Sequence, residues 1–185
     1  MSAPLFVLTG PSGAGKSTIL DRMILHPPFP FERLVTMTTR QPRLGEVSGR
    51  DYLFVSRDAF EKDIAAGNFF EWAEVYGHYY GSNKNELLRL QAGTKPIVLT
   101  LDVQGAMTIK RTYPESCVIF IDAPRENLLE RTSKRNMGAA ETERRVQRIE
   151  AESMFKAEAD VVIMNKDGEL DAAASRVAEE IKGRI

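Results

Sequence analysis

The stretch GPSGAGKST, Gly10 to Thr18, constrains this 185-residue chain more than any other. It fits the pattern G-x-x-x-x-G-K-[ST], follows the apolar run LFVL (5–8) and opens into a helical stretch at 17–25. That strand-loop-helix context turns a glycine-rich turn into a phosphate loop. Gly10, Gly13 and Gly15 permit tight turns, so backbone N–H groups can converge on phosphate oxygens. The helix beginning near Lys16 adds the positive end of its dipole. Lys16 would set an ammonium on the β and γ oxygens of a nucleoside triphosphate, and Ser17 would offer a hydroxyl to Mg²⁺. The loop alone does not name the reaction.

Three further apolar runs, IVLTL (97–101), VIFI (118–121) and VVIM (161–164), are also continuous rather than alternating, as expected of strands covered on both faces. Helical stretches fall between or after them, at 103–111, 125–135 and 170–184. In the last, Leu170, Ala174, Val177 and Ile181 form one apolar stripe. The expected fold is α/β, a P-loop NTPase-type parallel sheet of about five strands flanked by helices. Residues 34 to 92 break this rhythm. RDYLFVS and NFFEWAEVYGHYYGS read as short antiparallel strands around a helix at 57–66, where Phe60 and Ile64 share a face. A second polar, glycine-bearing piece, 133–145, reads as a flap.

Composition narrows the functional classes. The net charge of −1 and pI near 6.2 create no global field for nucleic acid, so anion binding must come from local constellations. Cys117 is the single cysteine, which excludes an internal disulfide, and it opens a run that reads as a buried strand. No apolar run approaches the ~20 residues of a membrane span, and LFVL is too short for a signal peptide. The expected setting is the reducing cytoplasm.

A second anion site is written in TTRQPRLGEVSGRDYLFVS (38–56). Pro42 disfavours helix at Gln41, and Gly45 and Gly49 keep the segment irregular. Arg40 and Arg43 would then present two guanidinium forks suited to a phosphate, with Tyr52 and Tyr80 as hydroxyl donors. The alternative is ordinary solvated surface charge. Glu71 stands between Phe70 and Trp72. It is either a solvent-facing strand residue or a buried acceptor that needs donors. Guanine supplies N1–H and the 2-amino group side by side, a match for one carboxylate, and Thr36 and Ser82 could donate to its O6.

GPSGAGKST, TTRQPRLGEVSGRDYLFVS, EWAEVYGHYYGS, LDVQGA and RTSKR, in this order, resemble the guanylate kinases, which transfer a phosphoryl group from ATP to GMP. The resemblance covers nearly the whole chain. It implies a core of 1–33, 93–124 and 149–185, an inserted mixed α+β GMP-binding subdomain at about 34–92, and a lid at about 125–148. It implies ATP, with Mg²⁺, on Gly10, Pro11, Ser12, Gly13, Ala14, Gly15, Lys16, Ser17 and Thr18. The GMP phosphate would lie on Arg40, Arg43, Tyr52 and Tyr80, and guanine on Thr36, Glu71, Ser82 and Asp102. Lys16, Arg40 and the lid arginines Arg131, Arg135 and Arg148 would act on the moving phosphoryl group. Thr100 stands where the family has an acid. The segment RNMGAAETE is longer than the family's lid, so Arg144 or Arg145 could take the place given to Arg148.

A GMP phosphate is mostly dianionic at neutral pH, so the expected transfer needs no general base; His26 and His78 are left without a role. Two other readings share the loop. A ribose 1,5-bisphosphate phosphokinase would have no use for a guanine-reading Glu71. A catalytically inactive guanylate-kinase-like binding module would be expected to lose Lys16, Ser17 and the lid arginines, all present here.

Overall fold

The computed structural model describes residues 2–75, 77–133 and 147–185; Arg135, Arg144, Arg145 and most of the expected flap lie outside them. Strand β1 (Leu5–Thr9) is buried along its whole length. Its side chains divide between two hydrophobic clusters, Phe6 and Leu8 in one, Leu5 and Val7 in the other. That division explains the continuous apolar run: each face of the strand has its own core to enter. Burying one such side chain fully is worth about 1.5–3 kcal/mol.

With β2 (Glu32–Arg33), β7 (Ile97–Thr100), β8 (Cys117–Asp122) and β9 (Val161–Met164), β1 forms a five-stranded sheet of order β2-β7-β1-β8-β9. Every pairing in it is parallel. Helices α1 (Lys16–Leu25) and α7 (Leu170–Lys182) lie against one face through Ile19, Leu20, Val177 and Ile181. Helix α4 (Val103–Thr112) covers the other through Ala106 and Ile109. Cys117 is buried and free, as its run suggested.

The sheet's fifth strand, β2, has no apolar pattern. Two polar residues qualify only because they pair with Ile97 and Val98.

The middle of the chain forms a second sheet, order β4-β3-β6-β5, from β3 (Met37–Thr38), β4 (Leu53–Phe54), β5 (Phe69–Val75) and β6 (His78–Asn83). β5 and β6 pair antiparallel, as expected, but β4 runs parallel to β3. The loop at 39–52 carries the chain back before β4 begins, so Leu53 and Val55 donate to the carbonyls of Thr36 and Thr38 in a same-direction ladder. Helix α2 (Arg57–Ala65) starts where the Ser56 hydroxyl accepts from the Ala59 amide, 3.2 Å away. It seats Phe60 on Phe69 with ring centroids 4.3 Å apart, and Ile64 packs on the same cluster. Helix α3 (Lys84–Gln91), capped by Asn83, sends Leu87 and Leu90 into the cluster holding Leu5 and Ile97. Helix α5 (Arg125–Ser133) follows β8, and α6 covers 147–153.

Candidate active site

The phosphate loop is wound as its glycines imply. Gly10, Gly13 and Gly15 have φ of 129°, 88° and 92°. At Gly10 the requirement is absolute: a Cβ would fall 2.1 Å from the Ile121 carbonyl oxygen. The Lys16 ammonium bends back over the loop, donating to the carbonyls of Gly10 (2.6 Å) and Pro11 (3.1 Å). Asn165, at the end of β9, donates to the Ala14 carbonyl at 2.7 Å. Arg131 on α5 reaches the Gly13 carbonyl at 3.1 Å and pairs with Asp167. Glu152 on α6 accepts the Ser12 amide at 3.1 Å.

The loop lies at the carboxyl ends of the parallel strands, where open α/β sheets form their ligand crevice. There, Gly10, Ser12, Gly13, Lys16 and Ser17 share one cleft with Thr36, Arg40, Arg43, Tyr52, Glu71, Tyr80 and Asp102. Thr100 and Glu152 line it too. Two distant stretches of sequence thus face one space. Pro11, Ala14, Gly15 and Thr18 do not line it; Ala14 is wholly buried, and Gly15 is the residue on which α1 begins. Arg131 and Arg148 stand outside the lining as well.

Glu71 resolves as the buried acceptor, 7% exposed. The Ser82 hydroxyl donates to its Oε1 at 2.6 Å. Burial pushes the Glu71 carboxyl up to about 7; hydrogen bonding from Ser82 opposes the rise and the nearby Asp102 adds to it. The Ser82 proton is committed to Glu71, so Ser82 supports the carboxylate. Gly105 in the first turn of α4 makes the close approach possible, since a Cβ there would come 2.9 Å from Glu71 Oε2. Asp102 caps α4, accepting the Gly105 amide at 2.8 Å on Oδ1, while its Oδ2 takes Arg148 at 3.2 Å.

Arg40 is held by a carboxylate the sequence reading passed over. Its two terminal nitrogens reach Glu46 at 2.9 Å each, a bidentate pair, and NH1 also donates to the Gln41 carbonyl at 2.7 Å. Burial alone would raise the Glu46 carboxyl, but hydrogen bonds from Arg40 and from the Arg43 amide outweigh it and hold it low. Arg40 Nε is buried without a hydrogen-bond partner, and the guanidinium lies 5.4 Å from the Tyr52 ring centroid. Arg43 is exposed at the cleft edge.

A family model described as Guanylate kinase matches residues 2–183. The chain belongs to the guanylate kinase family. Two relatives named "Guanylate kinase" give the scale. That of Thermosynechococcus vestitus is 41% identical over 177 residues, 94% of this chain and 92% of that one. That of Corynebacterium jeikeium is 35% identical over 185 residues, 98% and 97% of the two chains. A crystal structure of guanylate kinase from Anaplasma phagocytophilum superposes with a TM-score of 0.78 at 25% identity, covering 98% of this chain and 86% of that one.

Within this guanylate kinase fold, sequence reasoning missed Glu46, Glu152, Asn165 and Asp167. Glu46 was legible, because an acid six residues after Arg40 in a tight loop is within reach of it. The other three act across 34 to 151 residues of chain, and no local signal marks them. Position 100 is a threonine, and a buried carboxylate enters the same cleft from α6 instead.

Proposed function

We propose that this chain transfers the γ-phosphoryl group of ATP reversibly to GMP, giving ADP and GDP. The observation that carries the reading is the single cleft lined both by the phosphate loop and by Arg40, Arg43, Tyr52, Tyr80 and Glu71. Family membership supports it, and nothing favours the ribose-bisphosphate or binding-module readings.

In this reading ATP lies on residues 10–18, with the loop amides and Lys16 on its phosphates. Lys16 leaves the Gly10 and Pro11 carbonyls to do so. The GMP phosphate takes Arg40, Arg43, Tyr52 and Tyr80. The buried, unpartnered Arg40 Nε is a donor that a phosphate oxygen would satisfy. Glu71, ionised, accepts N1–H and the 2-amino group of guanine, with Thr36, Ser82 and Asp102 around the base. Residues 34–92 form the GMP-binding part, 125–148 the lid, and the remainder the core. Arg131, Arg135 and Arg148 neutralise charge on the phosphoryl group in transit.

Mg²⁺ would enter with ATP. Among the described residues no cluster of three metal-ligating side chains exists, and Ser17 lines the cleft. That donor set fits an ion held mainly by phosphate oxygens and water, with Ser17 as a protein ligand. Such an ion supplies charge neutralisation between the phosphates. The chain's own residues do the rest: they bind, align and exclude water from two polyanions whose repulsion is the main obstacle. No proton need be removed, because the acceptor phosphate is already ionised. A cytoplasmic setting suits these substrates; among the described residues no helix is long and apolar enough to cross a membrane.

A panel of nucleoside monophosphates with Mg-ATP, monitored by ADP formation, tests the assignment. Turnover with GMP well above AMP, CMP and UMP is expected. An inert GMP with an active ribose bisphosphate would overturn it.

A further inference from the structure

Glu152 has no place in the chemistry above, yet it is among the most confined carboxylates in the molecule. It is 6% exposed and lines the nucleotide cleft from α6. One oxygen accepts the Ser12 amide at 3.1 Å; the other accepts Arg148 Nε at 2.7 Å. Arg148 in turn reaches Asp102 at 3.2 Å. A continuous chain of contacts therefore runs from the phosphate loop through Glu152 and Arg148 to the first turn of α4.

The Ser12 amide belongs to the loop whose N–H groups are shaped to receive phosphate oxygens. A carboxylate oxygen on such an amide has the charge and accepting geometry of the group the loop is built for. A triphosphate arriving there meets both a competitor for the amide and a like charge at short range, in a setting where burial strengthens the repulsion. The other oxygen has no such conflict, since its partner is a cation that the phosphates also attract.

We propose that Glu152 is a positioning residue with two settings. Without nucleotide it occupies the Ser12 amide in place of a phosphate oxygen and holds Arg148 toward the cleft. ATP takes the amide, and Glu152 remains on Arg148 alone, keeping that guanidinium aligned for transfer. This rests on the assignment of ATP to the phosphate loop. The test below reads ATP binding directly, so failure of that assignment, seen as no ATP binding by the unaltered protein, is distinct from failure of the proposal.

Glu152→Gln keeps the shape and removes the charge. Titration with a non-hydrolysable ATP analogue should show binding tightened about three- to tenfold, the scale of one hydrogen bond exchanged plus relieved repulsion. Steady-state kcat should fall about tenfold or more, as Arg148 loses the closer of its two charged partners and is left on Asp102, with KM for GMP within about twofold of the parent. Placed in an Arg148→Met background, the same change should cost almost nothing further in kcat. A residue that merely supports the fold would weaken ATP binding or leave it unchanged, and either result overturns the first setting. An equal kcat loss in both backgrounds overturns the second. Should the glutamine variant fail to fold, Glu152→Asp retracts the carboxylate from the amide while keeping its charge. The same measurements then apply, with tighter ATP and lower kcat again expected and either contrary result decisive.

Discussion

Replacing Glu71 by glutamine should separate stability from function. The carboxyl is nine-tenths buried and its pKa stands at about 7, against 4.5 for an ordinary glutamate. A folded-state pKa above the unfolded one means that the native protein holds this proton more tightly. The contribution is complete below the unfolded value and declines as pH rises from 4.5 to about 7. Beyond that it is gone, leaving the folded state carrying a buried charge that hydrogen bonding from Ser82 only partly offsets. The full difference, about 2.5 units at 1.36 kcal/mol each, is roughly 3 kcal/mol. Between about pH 5.5 and about pH 8.5, roughly 2 kcal/mol of it should be lost.

Glu71→Gln removes the titration. Its side-chain oxygen can still accept from the Ser82 hydroxyl, and its amide can face Asp102. Urea unfolding of both proteins without nucleotide should therefore show the variant gaining on the parent as pH rises. By about pH 8.5 it should lead by up to ~3 kcal/mol, or roughly 6–12 °C in Tm for a chain of this size. The same variant should lose roughly 2–4 kcal/mol in kcat/KM for GMP, since an amide nitrogen would face the guanine donors. Its KM for ATP should stay near the parent's. Parallel pH–stability curves for the two proteins would refute the burial argument, and an unchanged GMP preference would refute the base-reading one.

Lys16→Met should abolish turnover while GMP still binds, as titration calorimetry can show; undiminished turnover would remove Lys16 from the triphosphate site. Gly105→Ala should raise KM for GMP about tenfold or more with ATP binding retained, because the new Cβ would lie 2.9 Å from Glu71 Oε2 and push the carboxylate aside. Gly10→Ala should cost more than about 4 kcal/mol in urea unfolding or prevent folding, since strain at φ 129° adds to a 2.1 Å clash with backbone. Gly49→Ala, also at positive φ (82°) but with open space around it, should cost only about 1–2 kcal/mol and serves as the control.

The sequence disclosed the elements whose cause is local. Continuous apolar runs marked β1, β7 and β8 because each has two faces to bury. The run VVIM also marked β9, but there the expected covering of both faces fails: at the sheet's edge β9 buries Ile163 and leaves Val162 exposed. The glycine loop announced its own geometry. Glu71 could be read only as one of two alternatives, since a strand shows period two but not which face is covered. The burial of Glu71 and Phe69 and the exposure of the far more apolar Trp72 (47%) depend on where α2 and α4 pack. The parallel course of β4 came from the path of the loop at 39–52, which composition does not specify. The fifth strand was illegible because Glu32 and Arg33 are strand only by virtue of their neighbour β7. Glu152 was beyond reach for the same reason: its partner Ser12 lies 140 residues away.

What the local signals could not convey is the balance of charge around the cleft. Three arginines lining or flanking it are held by carboxylates. Arg40 is forked onto Glu46, Arg148 lies between Asp102 and Glu152, and Arg131 is on Asp167. Each acid keeps a guanidinium ordered near a place where phosphate is expected, which lowers the side-chain entropy lost when substrate arrives. Each also removes part of the attraction, because substrate then exchanges one ion pair for another instead of creating one. Preorganisation and affinity are thus set against each other by the same carboxylates. An enzyme that must release its products gains from that compromise, since pockets of uncompensated arginine would hold the phosphates of ADP and GDP as firmly as those of ATP and GMP.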